Sequence, residues 1–183
     1  MRRHRLANGL RFLLLGIAAN TTGCEEPFDW CTELKDDGTL VKARGAVSIT
    51  YKGKFAPSGT VKITPVVRYE GSTLTVQGCG RKGGDLWRWR GGFGGIVPGA
   101  HDTVLTADEE GPGYAGEVVF CEDATCTFDE KKYVVRTSSD MRPAEGVVHT
   151  WEPTTGAFSA SLHMRNGLDE PVSIEVDIEW DPP

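Results

Sequence analysis

Val172-Ser173-Ile174-Glu175-Val176-Asp177-Ile178-Glu179-Trp180 decides the fold class. Apolar side chains recur at every second position. Because side chains of an extended chain alternate between two faces, the stretch predicts a strand with one buried and one wet side. Its partner is Phe158-Ser159-Ala160-Ser161-Leu162-His163-Met164-Arg165, joined through Asn166-Gly167-Leu168-Asp169-Glu170-Pro171, where Asn-Gly supplies the turn. Towards the N-terminus, strands are expected over 146–151, 127–137, 114–121, 102–106, 85–90, 73–79, 60–69 and 46–52. Turn signals such as Gly111-Pro112-Gly113, Glu70-Gly71 and Pro57-Ser58-Gly59 separate them. Beyond the N-terminal segment no apolar 3.6-residue period persists. Short strands without helices predict an all-β protein, an antiparallel β-sandwich of about ten strands, with a closed β-barrel as the alternative.

The N-terminus has a different logic. Arg2, Arg3, Arg5 and Arg11 precede Phe12-Leu13-Leu14-Leu15-Gly16-Ile17-Ala18-Ala19, and Asn20-Thr21-Thr22-Gly23-Cys24 follows. A basic region, a short apolar run and small residues are the order of an export signal. The apolar run is far short of the roughly 20 residues a membrane span needs. The segment resembles the signal peptide of bacterial lipoproteins, in which a peptidase cuts just before a cysteine that carries the lipid. Gly23-Cys24 matches the last two lipobox positions, while Thr21 and Thr22 stand where the family has Leu and then Ala or Ser. This resemblance covers residues 1–24. It implies removal of 1–23, lipidation of Cys24, a tether over 24–31, a single domain over 32–183, and anchoring at the inner or outer membrane of a bacterial cell envelope. The alternative is an ordinary secretory signal cut near Ala19, which leaves a soluble secreted or periplasmic protein.

Cysteine usage fits the lipid reading. The chain has five cysteines, and exported proteins usually pair theirs. With Cys24 acylated, Cys31, Cys79, Cys121 and Cys126 form an even set for an oxidising compartment. Cys121 and Cys126 bracket a short connection between two strand-like runs, so the expected bridges are Cys121 to Cys126 and Cys31 to Cys79. The spacing lacks the paired knuckles of a structural zinc site.

Residues 1–23 hold four of the 20 Lys and Arg and none of the 26 Asp and Glu, so the remainder carries a formal net charge of −10. Such a domain is repelled by phosphate backbones and anionic lipid. Nucleic acid is thus excluded as a partner, and membrane attachment falls to the lipid.

The least ordinary stretch of the remainder is Trp87-Arg88-Trp89-Arg90-Gly91-Gly92-Phe93-Gly94-Gly95. Trp87 and Trp89 share one strand face. Exposed, they form a flat platform for a sugar ring or a peptide; buried, they fill the core while Arg88 and Arg90 point to water. The glycines suggest a mobile loop. Catalytic patterns are sparse. His101-Asp102 is an adjacent pair, but neighbours on a strand face opposite ways. His149 alternates with Val147 and Trp151, a half-buried setting, and His163 shares a polar face with Ser159, Ser161 and Arg165. Acidic pairs such as Glu122-Asp123 lack the EF-hand pattern. No metal, cofactor or catalytic residue is assigned. The expected function is a non-catalytic binding or structural role in the envelope, with a glycan or protein ligand. The alternative is an exported hydrolase whose residues lie scattered on loops.

Overall fold

The computed structural model describes residues 40–105, 112–122, 132–136 and 145–182. The fold is all-β and antiparallel. Its strands are β1 (Val41–Lys42), β2 (Arg44–Tyr51), β3 (Gly59–Glu70), β4 (Thr73–Lys82), β5 (Asp85–Gly94), β6 (Thr103–Leu105), β7 (Gly113–Cys121), β8 (Lys132–Arg136), β9 (Glu145–Glu152), β10 (Ala157–Arg165) and β11 (Pro171–Glu179). Every strand expected from alternation is present, and the two-residue β1 is an addition. Hydrogen bonds link them in the order β6-β9-β10-β11-β2-β3-β4-β5-β7-β8, with β1 beside β3. Among the described residues the end strands β6 and β8 do not pair with each other, so the sheet curls into an open, barrel-like sandwich.

β3 joins the two halves. Val47–Tyr51 of β2 pair with Gly59–Ile63, and Thr64–Glu70 pair with Thr73–Cys79 of β4. Pro65 stands near the changeover. Proline has no N–H to give a ladder, and its carbonyl accepts the Ala43 N–H at the break between β1 and β2. Across from it β4 carries Gly78 and Gly80, where a Cβ would strike the main chain of Thr64 and Lys62. The close approach of β3 and β4 therefore depends on glycine.

One apolar core lies between the halves. Val172, Ile174, Val176, Ile178 and Trp180 are all buried, as the period of two requires. They meet Val47, Ile49 and Tyr51 of β2 and, from the other half, Val76, Trp87, Trp89 and Phe93. The Phe93 ring of β5 packs 4.6 Å from that of Phe158 on β10, and Tyr51 lies 6.2 Å from Trp87, so aromatic contacts cross the sandwich.

The β10–β11 connection is held by side chains. Asn166 Oδ1 accepts the N–H groups of Leu168 and Glu170 at 3.0 and 2.9 Å, an Asx-type turn. The left-handed residue is Asp169, with φ 62°, and not Gly167. Glu170 then gathers three donors: the Tyr51 hydroxyl, the Lys54 N–H at 2.7 Å and the Asn166 amide at 2.8 Å. The Tyr51 bond, followed by those from Lys54 and Asn166, holds the Glu170 carboxyl down to about 2. Burial, reinforced by the Glu170 bond, pushes the Tyr51 phenol up.

Candidate functional site

The aromatic stretch of β5 is core. β5 pairs without a register slip with β4 and with β7, so alternation carries through and both indoles point inward. Trp87 is 2% exposed and Trp89 0%. An exposed platform on these two residues is thereby corrected. Trp87 packs 5.1 Å from the Phe120 ring, and Trp89 Nε1–H donates to the Tyr114 hydroxyl at 3.1 Å. Burial pushes the Tyr114 phenol well above its ordinary range.

The glycines are a second correction, because Gly91, Gly92 and Gly94 belong to β5. A Cβ on Gly91 would lie 2.5 Å from the Trp89 ring and 2.9 Å from that of Tyr114. The aromatic rings occupy the space a side chain would take. The arginines divide: Arg90 is exposed, while Arg88 is only 9% exposed. The face opposite the core is thus itself covered at Arg88, where Leu86, Val119 and Cys121 form a small buried cluster with Cys79 against it.

Cys79 pairs in register with Arg88, and Cys121 with Leu86. The two cysteines therefore stand two strands apart with β5 between them and two residues out of step, roughly 11–12 Å, beyond the reach of a disulfide to each other. Among the described residues no two cysteines are at disulfide distance. Cys24, Cys31 and Cys126 lie outside the described residues, as do the expected signal segment over 1–23 and tether over 24–31.

A polar line crosses the outer face of the other half, and a break in β9 creates it. Opposite β10 the register shifts between Ser159 and Ala160, so that Ser159 faces Thr150 but Ala160 faces Val148. His149 is the extra residue of a β-bulge, a device that re-aims a side chain. Gly146, Val148 and Trp151 point inward while His149 points out. The alternation of Val147, His149 and Trp151 seen in the sequence is thereby overturned. His101 and Asp102 precede β6, and Asp102 is left-handed, with φ 49°, a conformation aspartate tolerates. Both side chains of this pair reach His149, against the expectation that they point apart. His101 Nδ1–H donates to the His149 carbonyl at 3.1 Å, and Asp102 Oδ1 accepts from His149 Nδ1–H at 3.0 Å. On the far side His149 Nε2 lies 3.0 Å from Ser161 Oγ, which lies 2.5 Å from Glu175 Oε2. Ser161, Glu175 and Ser48 are cross-strand neighbours on β10, β11 and β2. His163, one step along, is exposed and bonds Ser173 Oγ at 3.2 Å.

The line is open to solvent, with the His149 and Asp102 side chains 46% and 79% exposed. A carboxylate can only accept, so in this arrangement the single Ser161 hydrogen is donated to Glu175, and it reaches His149 Nε2 only when the hydroxyl turns away from Glu175. When it goes to His149, the imidazole is neutral, oriented by Asp102 at one nitrogen and facing a hydroxyl with the other. Among the described residues no three His, Cys, Asp or Glu side chains converge to hold a metal ion.

A groove of about 410 Å³ opens at one end of the sandwich, between β1, the end of β3, the β9–β10 turn and the residues after β11. That volume is in the range of small-ligand sites. Val41, Val67 and Trp180 make its apolar floor, Tyr69 and Pro153 a flank, and Arg68 with Glu70, 3.7 Å apart, a charged rim. No family model, no curated protein and no solved structure matches this chain. The sequence held a signal for the groove in Trp180, which continues the alternating face of β11 into the tail. No local pattern marked Tyr69 or Pro153, which the topology brings to it.

Proposed function

We propose that the protein is exported, lipid-anchored through Cys24 in a bacterial cell envelope, and acts there by non-catalytic binding of a glycan or protein segment. The binding role is carried by the groove beside Tyr69 and Trp180: an apolar, aromatic floor takes up a ligand face while the Arg68–Glu70 rim orients polar groups. The anchor is supported by Gly23-Cys24 behind its apolar run and by the odd cysteine count. The acidic charge of the remainder leaves lipid as the means of attachment. The bridges Cys31 to Cys79 and Cys121 to Cys126 belong to this reading, and the two-strand gap between Cys79 and Cys121 supports it by disfavouring their direct bond.

Intact mass analysis of the protein extracted from its native membrane tests the address. The expected chain starts at Cys24, carries acyl mass and has its other four cysteines bridged. A start elsewhere with Cys24 unmodified overturns the anchor. For the groove, Tyr69→Ala, assayed below its own unfolding transition because the ring also packs edge-on against Trp151, is expected to weaken retention of soluble cell-wall glycan fragments or of envelope peptides. Equal retention by the variant removes the groove from the reading.

The hydrolase alternative has one observation in its favour, the alignment of Asp102, His149 and Ser161. Its residues lie largely on strands and not on scattered loops.

A further inference from the structure

We infer that Ser161 is the nucleophile of an acyl-transfer site on the outer sheet face, with His149 as its general base and Asp102 as the group that positions His149. The distances are those the chemistry needs. Nucleophile to base is 3.0 Å and base to orienter is 3.0 Å, within the hydrogen-bond reach that proton transfer requires. Three separate features create the alignment: the bulge that turns His149 outward, the left-handed Asp102 that turns its carboxylate back to the ring, and the register that sets Ser161 beside them. The three side chains belong to different segments, so the order along the chain is irrelevant to the roles.

The step balances as follows. Ser161 Oγ forms a bond to the acyl carbon of an ester, and its proton passes to His149 Nε2. The tetrahedral adduct collapses with cleavage of the acyl carbon–oxygen bond, and His149 returns the proton to the departing alkoxide or phenoxide. Water then attacks the acyl-serine, giving its proton to His149 and releasing the carboxylic acid as Ser161 is re-protonated.

Geometry also sets the substrate class. β10 is an interior strand, paired with β9 and with β11, so its main-chain N–H groups serve the ladder and are not aimed at a developing oxyanion. Removing one such donor in a serine hydrolase typically costs 10²–10³ in rate, roughly 3–4 kcal/mol. A site built this way turns over esters whose leaving group is already good, such as unhindered aryl esters, and not amides. Solvent exposure of His149 and Asp102 admits an acyl group without a cleft to select it. Glu175 opposes the reaction, because each Ser161 hydrogen bond given to Glu175 is one withheld from His149.

The test uses the full-length protein with p-nitrophenyl acetate and a fluorophosphonate, which phosphonylates a serine with loss of fluoride. Wild type is expected to take one phosphonyl group, located at Ser161 by peptide mass, and to hydrolyse the ester. S161A abolishes labelling at that peptide, and H149A slows it by about 10²-fold or more, the usual contribution of a general base. H163A, on the same face but off the line, leaves the rate unchanged. E175Q labels at least as fast as wild type. Absence of label on Ser161, or equal ester hydrolysis by S161A and wild type, overturns the site. Loss of labelling in E175Q with full labelling in H149A assigns the base to Glu175 and overturns the role of His149. Neither the groove nor Cys24 takes part, so failure here leaves the binding reading standing.

Discussion

β5 and β9 carry similar sequence patterns and do opposite things with them. In β5, Trp87-Arg88-Trp89-Arg90 alternates, and unslipped pairing on both sides delivers both tryptophans to the core. In β9, Val147, His149 and Trp151 also alternate, yet only Trp151 is buried, because one extra residue opposite Ser159 and Ala160 resets the phase. A period of two identifies a face only while register is unbroken. The bulge converts what would have been a half-buried histidine into an exposed one, and together with the left-handed Asp102 and the β10–β11 register it sets the polar line through Asp102, Ser161 and Glu175.

The largest expected effect falls on the regular strand. Trp89→Ala removes a fully buried indole and is expected to destabilise the domain by about 3–5 kcal/mol, the usual cost of such a truncation, measured by urea unfolding. A loss under 1 kcal/mol would mean that alternation in β5 does not report burial. Gly91→Ala probes the same strand more gently. Its methyl would meet the Trp89 and Tyr114 rings, and overpacking of this kind costs about 1–3 kcal/mol. A neutral or stabilising result would show that the rings shift freely. On the bulged strand the counterpart is His149→Val, where the exposed position predicts a change within about 0.5 kcal/mol although the polar line is broken. A loss as large as that of Trp89→Ala would place His149 in the fold's support and remove the contrast.

The same contrast explains what could be read from the chain. Strand identity was legible wherever apolar residues alternate against both neighbours, as in Val172 to Trp180, because burial on one face is a local pattern. The candidate sites were not. His149 was misassigned because a bulge leaves no mark in residue type. His101-Asp102 was set aside on a strand rule that a left-handed Asp102 does not obey. Arg88 was expected in water, but its face of β4, β5 and β7 is covered, and a single strand cannot disclose what lies over its outer side. The groove draws on β1, β3, the β9–β10 turn and the tail after β11, segments that only the strand order brings together.

A small, pH-dependent effect is expected at the β10–β11 end, where Glu170 ties the connection to Tyr51 and Lys54. Its carboxyl ordinarily titrates near 4.5 and is held at about 2 by the bonds from Tyr51, Lys54 and Asn166. A depressed carboxyl contributes stability that is fully present above its unfolded value and is lost as pH falls through the folded one. Glu170→Gln should therefore lower the thermal midpoint at pH 6, with the gap to wild type narrowing below about pH 4.5 and closing near pH 2. The carboxylate is half-buried and still reached by solvent, so the shift at pH 6 is expected to be modest. A gap independent of pH would show that the turn is fixed by the Asn166 backbone bonds alone. The hairpin would then resemble β5, held by unslipped pairing and buried alternation without help from a polar side chain.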